Sequence, residues 1–146
     1  HPTDVLTTIQ MSADFEKDPN MEGTIIVSNN VPWFLTQHPA VAEYAATMKK
    51  FAPAAPSDAT AMNGWASAKA FEKAMKGITP QQAVTSKDVL AGLYALNGEE
   101  LGGLVAPLYY TPGKPARQIA CGWATVVSKG KFTSDGQRFC VKGLEP

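Results

Sequence analysis

Neither sign of charge is in excess in this sequence: 13 Lys and Arg stand against 13 Asp and Glu. A protein that binds nucleic acid needs a basic face to displace counterions from phosphates. Without that excess, and without a run of Lys and Arg, nucleic acid is not an expected partner. Long apolar runs are lacking too. The most apolar stretch, residues 101–110, is too short to cross a bilayer and is interrupted by Gly102, Gly103 and Pro107. No basic head followed by an apolar run opens the chain, which for a mature or truncated chain leaves the compartment open.

Catalytic signatures are equally scarce. There is no GxSxG elbow, P-loop, GxGxxG after a strand, HExxH or zinc spacing. Histidine is limited to His1 and His38, and a nucleophilic pairing of His38 with a cysteine would have no third group to orient it. His38 precedes Pro39 and reads as a capping or surface residue. Asp14, Glu16 and Asp18 alternate near a turn but lack the glycine and distal glutamate of a calcium loop. Glu99 and Glu100 read as a solvated turn. The expectation is a protein that is not an enzyme and has no metal or cofactor.

What the chain has is ordinary globular material, with 45% hydrophobic and 18% charged residues distributed along its 146 positions. Residues 4–11 read as a short helix. Residues 23–27, short and β-branched between turn residues, read as a buried strand. Pro39 opens a helix carrying Val41, Tyr44, Ala45, Met48 and Phe51 at helical spacing, with Lys49 and Lys50 on its wet side. A second helix is expected from Asp58 or Ala59 to Lys76, with Met62, Trp65, Phe71 and Met75 as its bulky residues and Gly77 as its stop. Ser86 is the expected N-cap of a third, through Val89, Leu90, Leu93 and Leu96, ending near Gly98. Residues 118–127 read as a strand that turns at Lys129-Gly130 into Lys131-Phe132. The pattern is α/β, with too few strands for a self-sufficient sheet.

Cys121 and Cys140 lie 19 positions apart. They are either two buried thiols or one disulfide formed in an oxidising compartment. The disulfide is preferred because the segment between them reads as a strand, a turn and a return. Trp33, on irregular chain just past the first strand's carboxyl end, either faces a ligand there or covers a helix end. Trp65 and Trp123 read as packing residues.

Five segments resemble one family in order and spacing. Met21-Glu22-Gly23-Thr24-Ile25-Ile26-Val27 is similar to an "AEG" strand, and His38-Pro39-Ala40-Val41-Ala42-Glu43-Tyr44 to a proline-led helix. Ala61-Met62-Asn63-Gly64-Trp65-Ala66-Ser67-Ala68 is similar to a "YGYDAA" helix start, and Ser86-Lys87-Asp88-Val89-Leu90-Ala91-Gly92-Leu93 to a "VRDAL" helix. Val126-Val127-Ser128-Lys129-Gly130-Lys131-Phe132 resembles a closing "V-x-x-G-x-F" hairpin. Together they resemble the C-terminal part of type I periplasmic-binding proteins, the branched-chain amino acid ABC-transporter substrate-binding family. Two features depart from it: the cysteine pair, and residues 98–103, which lack the usual "GPTG" wording.

The resemblance implies a partial periplasmic-binding-protein-like type I α/β fold, the C-terminal portions of both lobes. Residues 1–28 would be a second-lobe segment, 29–112 a crossover followed by the part completing the first lobe, and 113–146 the returning second-lobe strand and hairpin. It further implies an extracytoplasmic protein, periplasmic or a cell-surface lipoprotein. Such a protein binds a small metabolite (an amino acid, amide or aromatic acid) between two lobes and hands it to an ABC permease. The alternative is the ligand-binding ectodomain of a sensor with the same fold. The missing N-terminal half of the protein would be a partner, and an exposed apolar face is expected where it is absent. The cleft candidates are Asp4, Asn30, Trp33 and Thr60.

Overall fold

In the computed structural model, residues 5–7, 14–79, 83–115, 117 and 120–143 are described. The main sheet draws its strands from the two ends of that range. β1 (Val5–Thr7) runs parallel to β2 (Ile25–Ser28), and β2 runs antiparallel to β5 (Cys121–Ser128), with Ile26 opposite Thr125 and Ser28 opposite Trp123. The far edge of β5 is shared by β6 (Lys131–Thr133) and β7 (Arg138–Cys140). β5 is therefore the central strand. Its alternate residues Trp123, Thr125 and Val127 are all buried, as one covered face of a pleated strand requires. Gly122 is needed where β2 comes closest, since a Cβ there would stand 2.5 Å from the Ser28 carbonyl oxygen.

The turn into β6 is the expected one. Lys129 and Gly130 both have positive φ, 53° and 69°, the left-handed pair that matches the twist of a tight hairpin. The Lys129 N–H donates to Glu22 Oε1 at 3.0 Å, which helps to hold a non-glycine residue in that conformation.

Residues 5–7 correct the helix expected over 4–11. They form an edge strand, because the β-branched ladder of β2 offers them a row of backbone partners that an isolated helix of about two turns lacks. Residues 8–11 of that expectation lie outside the described residues. The sheet also gains β7, and a separate two-stranded ribbon joins β3 (Asn97–Glu99) to β4 (Leu108–Tyr109).

Among the described residues, three α-helices fill the middle of the chain. α1 (Pro39–Phe51) starts on Pro39, buries Val41 and Tyr44, and leaves Phe51 exposed at its end. α2 (Ala59–Ala74) is capped by the Asp58 carboxylate, which accepts from the Ala61 N–H at 2.9 Å. It buries the row Ala59, Met62, Ala66, Ala70 and Ala74. Phe71, expected among its bulky residues, lies off that row and is exposed. α3 (Ser86–Tyr94) is capped by Thr85, one residue earlier than expected. Thr85 Oγ1 accepts from the Asp88 N–H while Asp88 Oδ2 accepts from the Thr85 N–H, a reciprocal box that Ser86 has no equivalent partner to form. Hydrogen bonds from the Thr85 hydroxyl and N–H hold the Asp88 carboxyl below its usual range. α3 crosses α2 at Gly92, whose missing Cβ leaves room for the Ala74 carbonyl.

One cluster of buried side chains joins the layers, from Ile26 and Val127 on the sheet through Val31 and Leu104 to Tyr44 and Met62 on the helices. Burial raises the pKa of the Tyr44 hydroxyl, which takes a 3.2 Å hydrogen bond from Ser57 Oγ.

The glutamates expected to be solvated are tie points instead. Glu99 Oε2 lies 2.6 Å from Lys73 Nζ on α2, and Glu100 Oε1 lies 2.7 Å from Arg138 on β7. The Lys73 ammonium holds the Glu99 carboxyl below its ordinary value of 4.5, against the opposing pull of burial and with help from the Leu101 N–H. A carboxyl whose folded-state pKa is depressed adds stability above its unfolded value and loses it as pH falls through the folded one. Glu99→Gln should therefore be less stable than the parent at neutral pH, and the difference should vanish as the medium is acidified below 4.5. Urea unfolding at a series of pH values measures this, and a difference independent of pH would contradict it.

The disulfide is present. Cys121 and Cys140 face each other directly across β5 and β7 and are bonded. Closing a loop of 19 residues restricts the unfolded chain and is worth about 3 kcal/mol. Replacing both cysteines by serine should lower the unfolding free energy by about that amount. Denaturant midpoints unchanged between the oxidised parent and the double variant would count against a stabilising role.

Candidate functional site

After β2 the chain passes from the sheet toward the helices at residues 29–31, and the loop between β3 and β4 comes back beside that passage. These two passages pair. Asn30 and Val105 form an antiparallel bridge, and the Val31 N–H donates to the Leu104 carbonyl at 2.9 Å. Both are buried, with Asn30 3%, Val31 1% and Leu104 1% exposed. Their polar groups must therefore find partners inside the protein. The Ser28 hydroxyl donates to the Asn30 carbonyl at 2.7 Å, and Asn30 Nδ2 donates to Asn63 Oδ1 on α2 at 2.6 Å. The loop reaches this position through three consecutive left-handed residues, Leu101, Gly102 and Gly103. Leu101 is the costly one of the three, and its N–H is held by Glu99 Oε1 at 2.7 Å.

Beside the paired passages lies a cavity of about 670 Å³. One wall is the carboxyl end of β2 with Asn29 and Asn30, and a second is the α2 face carrying Asn63, Ala66, Ser67 and Ala70. The third is built from Leu101, Val105, Leu108, Tyr110 and Cys121. Ligands of open α/β sheets bind outside the carboxyl ends of strands, which is where this cavity stands. The short alanine side chains on α2 keep the second wall back. Among the described residues, no Asp, Glu, Lys, Arg or His lines it. A smaller hollow of about 200 Å³ adjoins it, bounded by Tyr109 and by Arg117, whose guanidinium lies 5.2 Å from the Tyr109 ring centre.

Of the residues singled out in the sequence, Asn30 lines the large cavity. Trp33 stands elsewhere. It is 9% exposed and packs edge-on against Phe34 and Phe132 at 5.2 and 5.4 Å, beside a separate hollow of about 260 Å³ with Glu16 and Lys131. Thr60 is exposed on the first turn of α2, outside the linings described here. Asp4 lies outside the described residues. Trp123 is buried in the sheet, and Trp65 rests on Tyr44 with Lys69 over its ring.

His38 occupies the cap position of α1, but its side chain makes no capping bond; its carbonyl instead accepts from the N–H groups of Val41 and Ala42. Its Nδ1 is buried without a partner among the described residues. Asn63 was missed. The available signal was its place three and seven residues before Ala66 and Ala70, a polar residue at the head of a row of small ones on a single helix face.

No curated protein and no solved structure matches the chain. The sequence profile described as periplasmic binding protein matches residues 6–131, most of its length, with four of the five segments of the resemblance and all but the last residue of the fifth. The chain belongs to the periplasmic binding protein family, in the branched-chain amino acid binding group of type I fold whose members bind solutes outside the cytoplasm.

Proposed function

We propose that this chain is the C-terminal part of the solute-binding component of an ABC importer. It works in the periplasm or as a cell-surface lipoprotein, and it holds an amino acid, amide or aromatic acid between two lobes without altering it. The observation that carries this reading is the cavity at the carboxyl end of β2, set directly against the two paired passages between sheet and helices. A ligand in that position touches both sides of a hinge.

In this reading residues 1–28 and 113–146 belong to the second lobe and 29–112 to the first. The sheet drawing its strands from both ends of the chain, with the helices between, supports that division. The accessible surface of 9290 Å² exceeds the roughly 7200 Å² of a compact monomer of this mass. Phe71 and Leu90 are exposed on two different helices. Both facts support a missing N-terminal half that covers the helices and completes the first lobe. Rotation about residues 29–31 and the return at residues 112–113 closes the cleft, and the closed form is favoured only by contacts the ligand makes in it. The closed surface is what the permease recognises.

Calorimetry on the full-length protein with a panel of amino acids, amides and aromatic acids tests this reading. Binding without turnover is expected, and turnover of any panel member would sink it. Asn30→Ala should weaken binding by roughly tenfold, the worth of one well-placed hydrogen bond. Thr60→Ala and Trp33→Ala should leave affinity within about twofold of the parent, since neither side chain lines the cavity.

A further inference from the structure

We propose that the Cys121–Cys140 bond is a site of thiol–disulfide exchange, cut in the folded protein by a dithiol. Cutting it releases β7 and opens the cavity on that side. Nothing in this depends on which solute the cavity takes.

β7 buries little of its own surface. Arg138 is exposed, Phe139 is 41% exposed, and Val141 just beyond the strand is 50% exposed. β6, on the same edge of β5, follows a tight turn and sets Phe132 against Trp33 and Phe34. β7 has instead a three-residue ladder, the hydrogen bond from the Val141 N–H to the Ala120 carbonyl, the Arg138–Glu100 pair and the disulfide. Three paired residues without a buried face are marginal, and a half-exposed ion pair adds little. The covalent bond is the strongest of these holds, and β7 is the segment whose opening it governs.

The two cysteines face solvent differently. Cys121 is 8% exposed and lines both the large cavity and the smaller hollow beside it. Cys140 is half-buried on the outer strand, next to an exposed tail. An incoming thiolate therefore reaches Cys140 Sγ first. Its sulfur bonds to Cys140, the S–S bond breaks, and Cys121 leaves as a thiolate that takes a proton from water. Arg117 shares the smaller hollow with Cys121, and a guanidinium there favours the leaving thiolate. The second thiol of the reductant then displaces Cys140 and closes a disulfide of its own. The protein gains the electron pair that the dithiol gives up.

Release of β7 reaches the cavity by two routes. The end of β5 that carries Cys121 loses its partner on the outer edge. Glu100 loses Arg138, and the Glu100 carbonyl accepts from the Val105 N–H across the loop that supplies Leu101 and Val105 to the wall. The Glu99–Lys73 tie is untouched, so the loop stays on α2.

The test is residue-resolved hydrogen exchange on the full-length protein, before and after dithiothreitol without denaturant, with alkylation to count free thiols. Once both thiols are free, the amides of residues 138–141 should exchange at least ~10-fold faster, as a locally opened segment does. The Val105 N–H should exchange roughly 2- to 5-fold faster, the reach of one half-exposed ion pair. The Phe132 N–H, held by Glu16, and the amides of α2 should be unchanged. Reoxidation should restore the first pattern. The double variant Cys121→Ser, Cys140→Ser should show the reduced pattern with no reductant present; if it does not fold, reduction of the parent decides alone. A bond that resists dithiothreitol until denaturant is added would overturn the proposal, and so would β7 amides that stay protected after reduction. Loss of protection throughout the molecule would overturn it too, since the bond would then be a general staple and not a local switch. Unchanged exchange at Val105 would overturn the link to the cavity.

Discussion

The structure depends on two short stretches of backbone lying side by side in the interior, residues 30–31 against 104–105. Each is the place where the chain passes between the sheet and the helices, and each would be expensive to bury alone because its peptide groups have no helix or sheet to complete them. Pairing solves the problem for both. The Asn30–Val105 bridge and the Val31–Leu104 hydrogen bond supply backbone partners, and Asn30 reaches across to Asn63 so that α2 is fixed to the same point. The strand end, the loop and the helix meet there, and the cavity is the space they fail to fill. Its position follows from the crossing.

The sheet is organised around β5 for a related reason. At eight residues β5 is the longest strand of the sheet among the described residues, and it accepts β2 on one edge and both β6 and β7 on the other. Three-residue strands are marginal alone. β6 is held by the tight Lys129–Gly130 turn, and β7, beyond four irregular residues, by the Cys121–Cys140 bond and the Arg138–Glu100 pair. The disulfide thus does for β7 what hairpin geometry does for β6. Because Cys121 also lines the cavity, the covalent tie and the site share a wall.

Elements whose cause is local could be read from the sequence. β2 is a β-branched run between turn residues, α1 starts on a proline, and the Lys129–Gly130 turn adopts the conformation its position demands. The disulfide was also legible, from the strand and return between its cysteines. Elements whose cause is a distant partner could not be read. Val5–Thr7 is a strand because β2 lies beside it, and β3, β4 and β7 are two- or three-residue strands defined by their pairings. Thr85 displaced Ser86 as a cap because Asp88 completes a box with it, three residues on. At the site, Asn30 was found because it follows a strand. Asn63 was not, because nothing in a helix repeat tells which polar residue faces a cavity and which faces water. Trp33 was placed by its chain neighbours, while Phe132, a hundred residues away, decides where its ring packs.

Glu99 and Glu100 give the loop at the crossing an asymmetry that bears on how it moves. Successive side chains on extended chain point to opposite sides, and here one glutamate reaches α2 through Lys73 while the next reaches β7 through Arg138. The loop is therefore tied to the helices and to the sheet at neighbouring residues. The two ties differ at the carboxylate end: Glu99 is 19% exposed, with Lys73 47% exposed, and its carboxylate also accepts from the Leu101 N–H, whereas Glu100 and Arg138 are 37% and 33% exposed. Half-solvated ion pairs of this sort are worth about 0–1 kcal/mol each, and the Leu101 N–H adds one hydrogen bond to the Glu99 tie. A rotation of the helices against the sheet, which the proposed function requires, would separate the loop from β7 at the cost of the Glu100–Arg138 tie while keeping the Glu99–Lys73 one. The loop and α2 then move as one body. A difference of that size lies within reach of the few hydrogen bonds a small ligand makes, so a solute contacting Asn30 and Asn63 has enough leverage to set the position of the hinge.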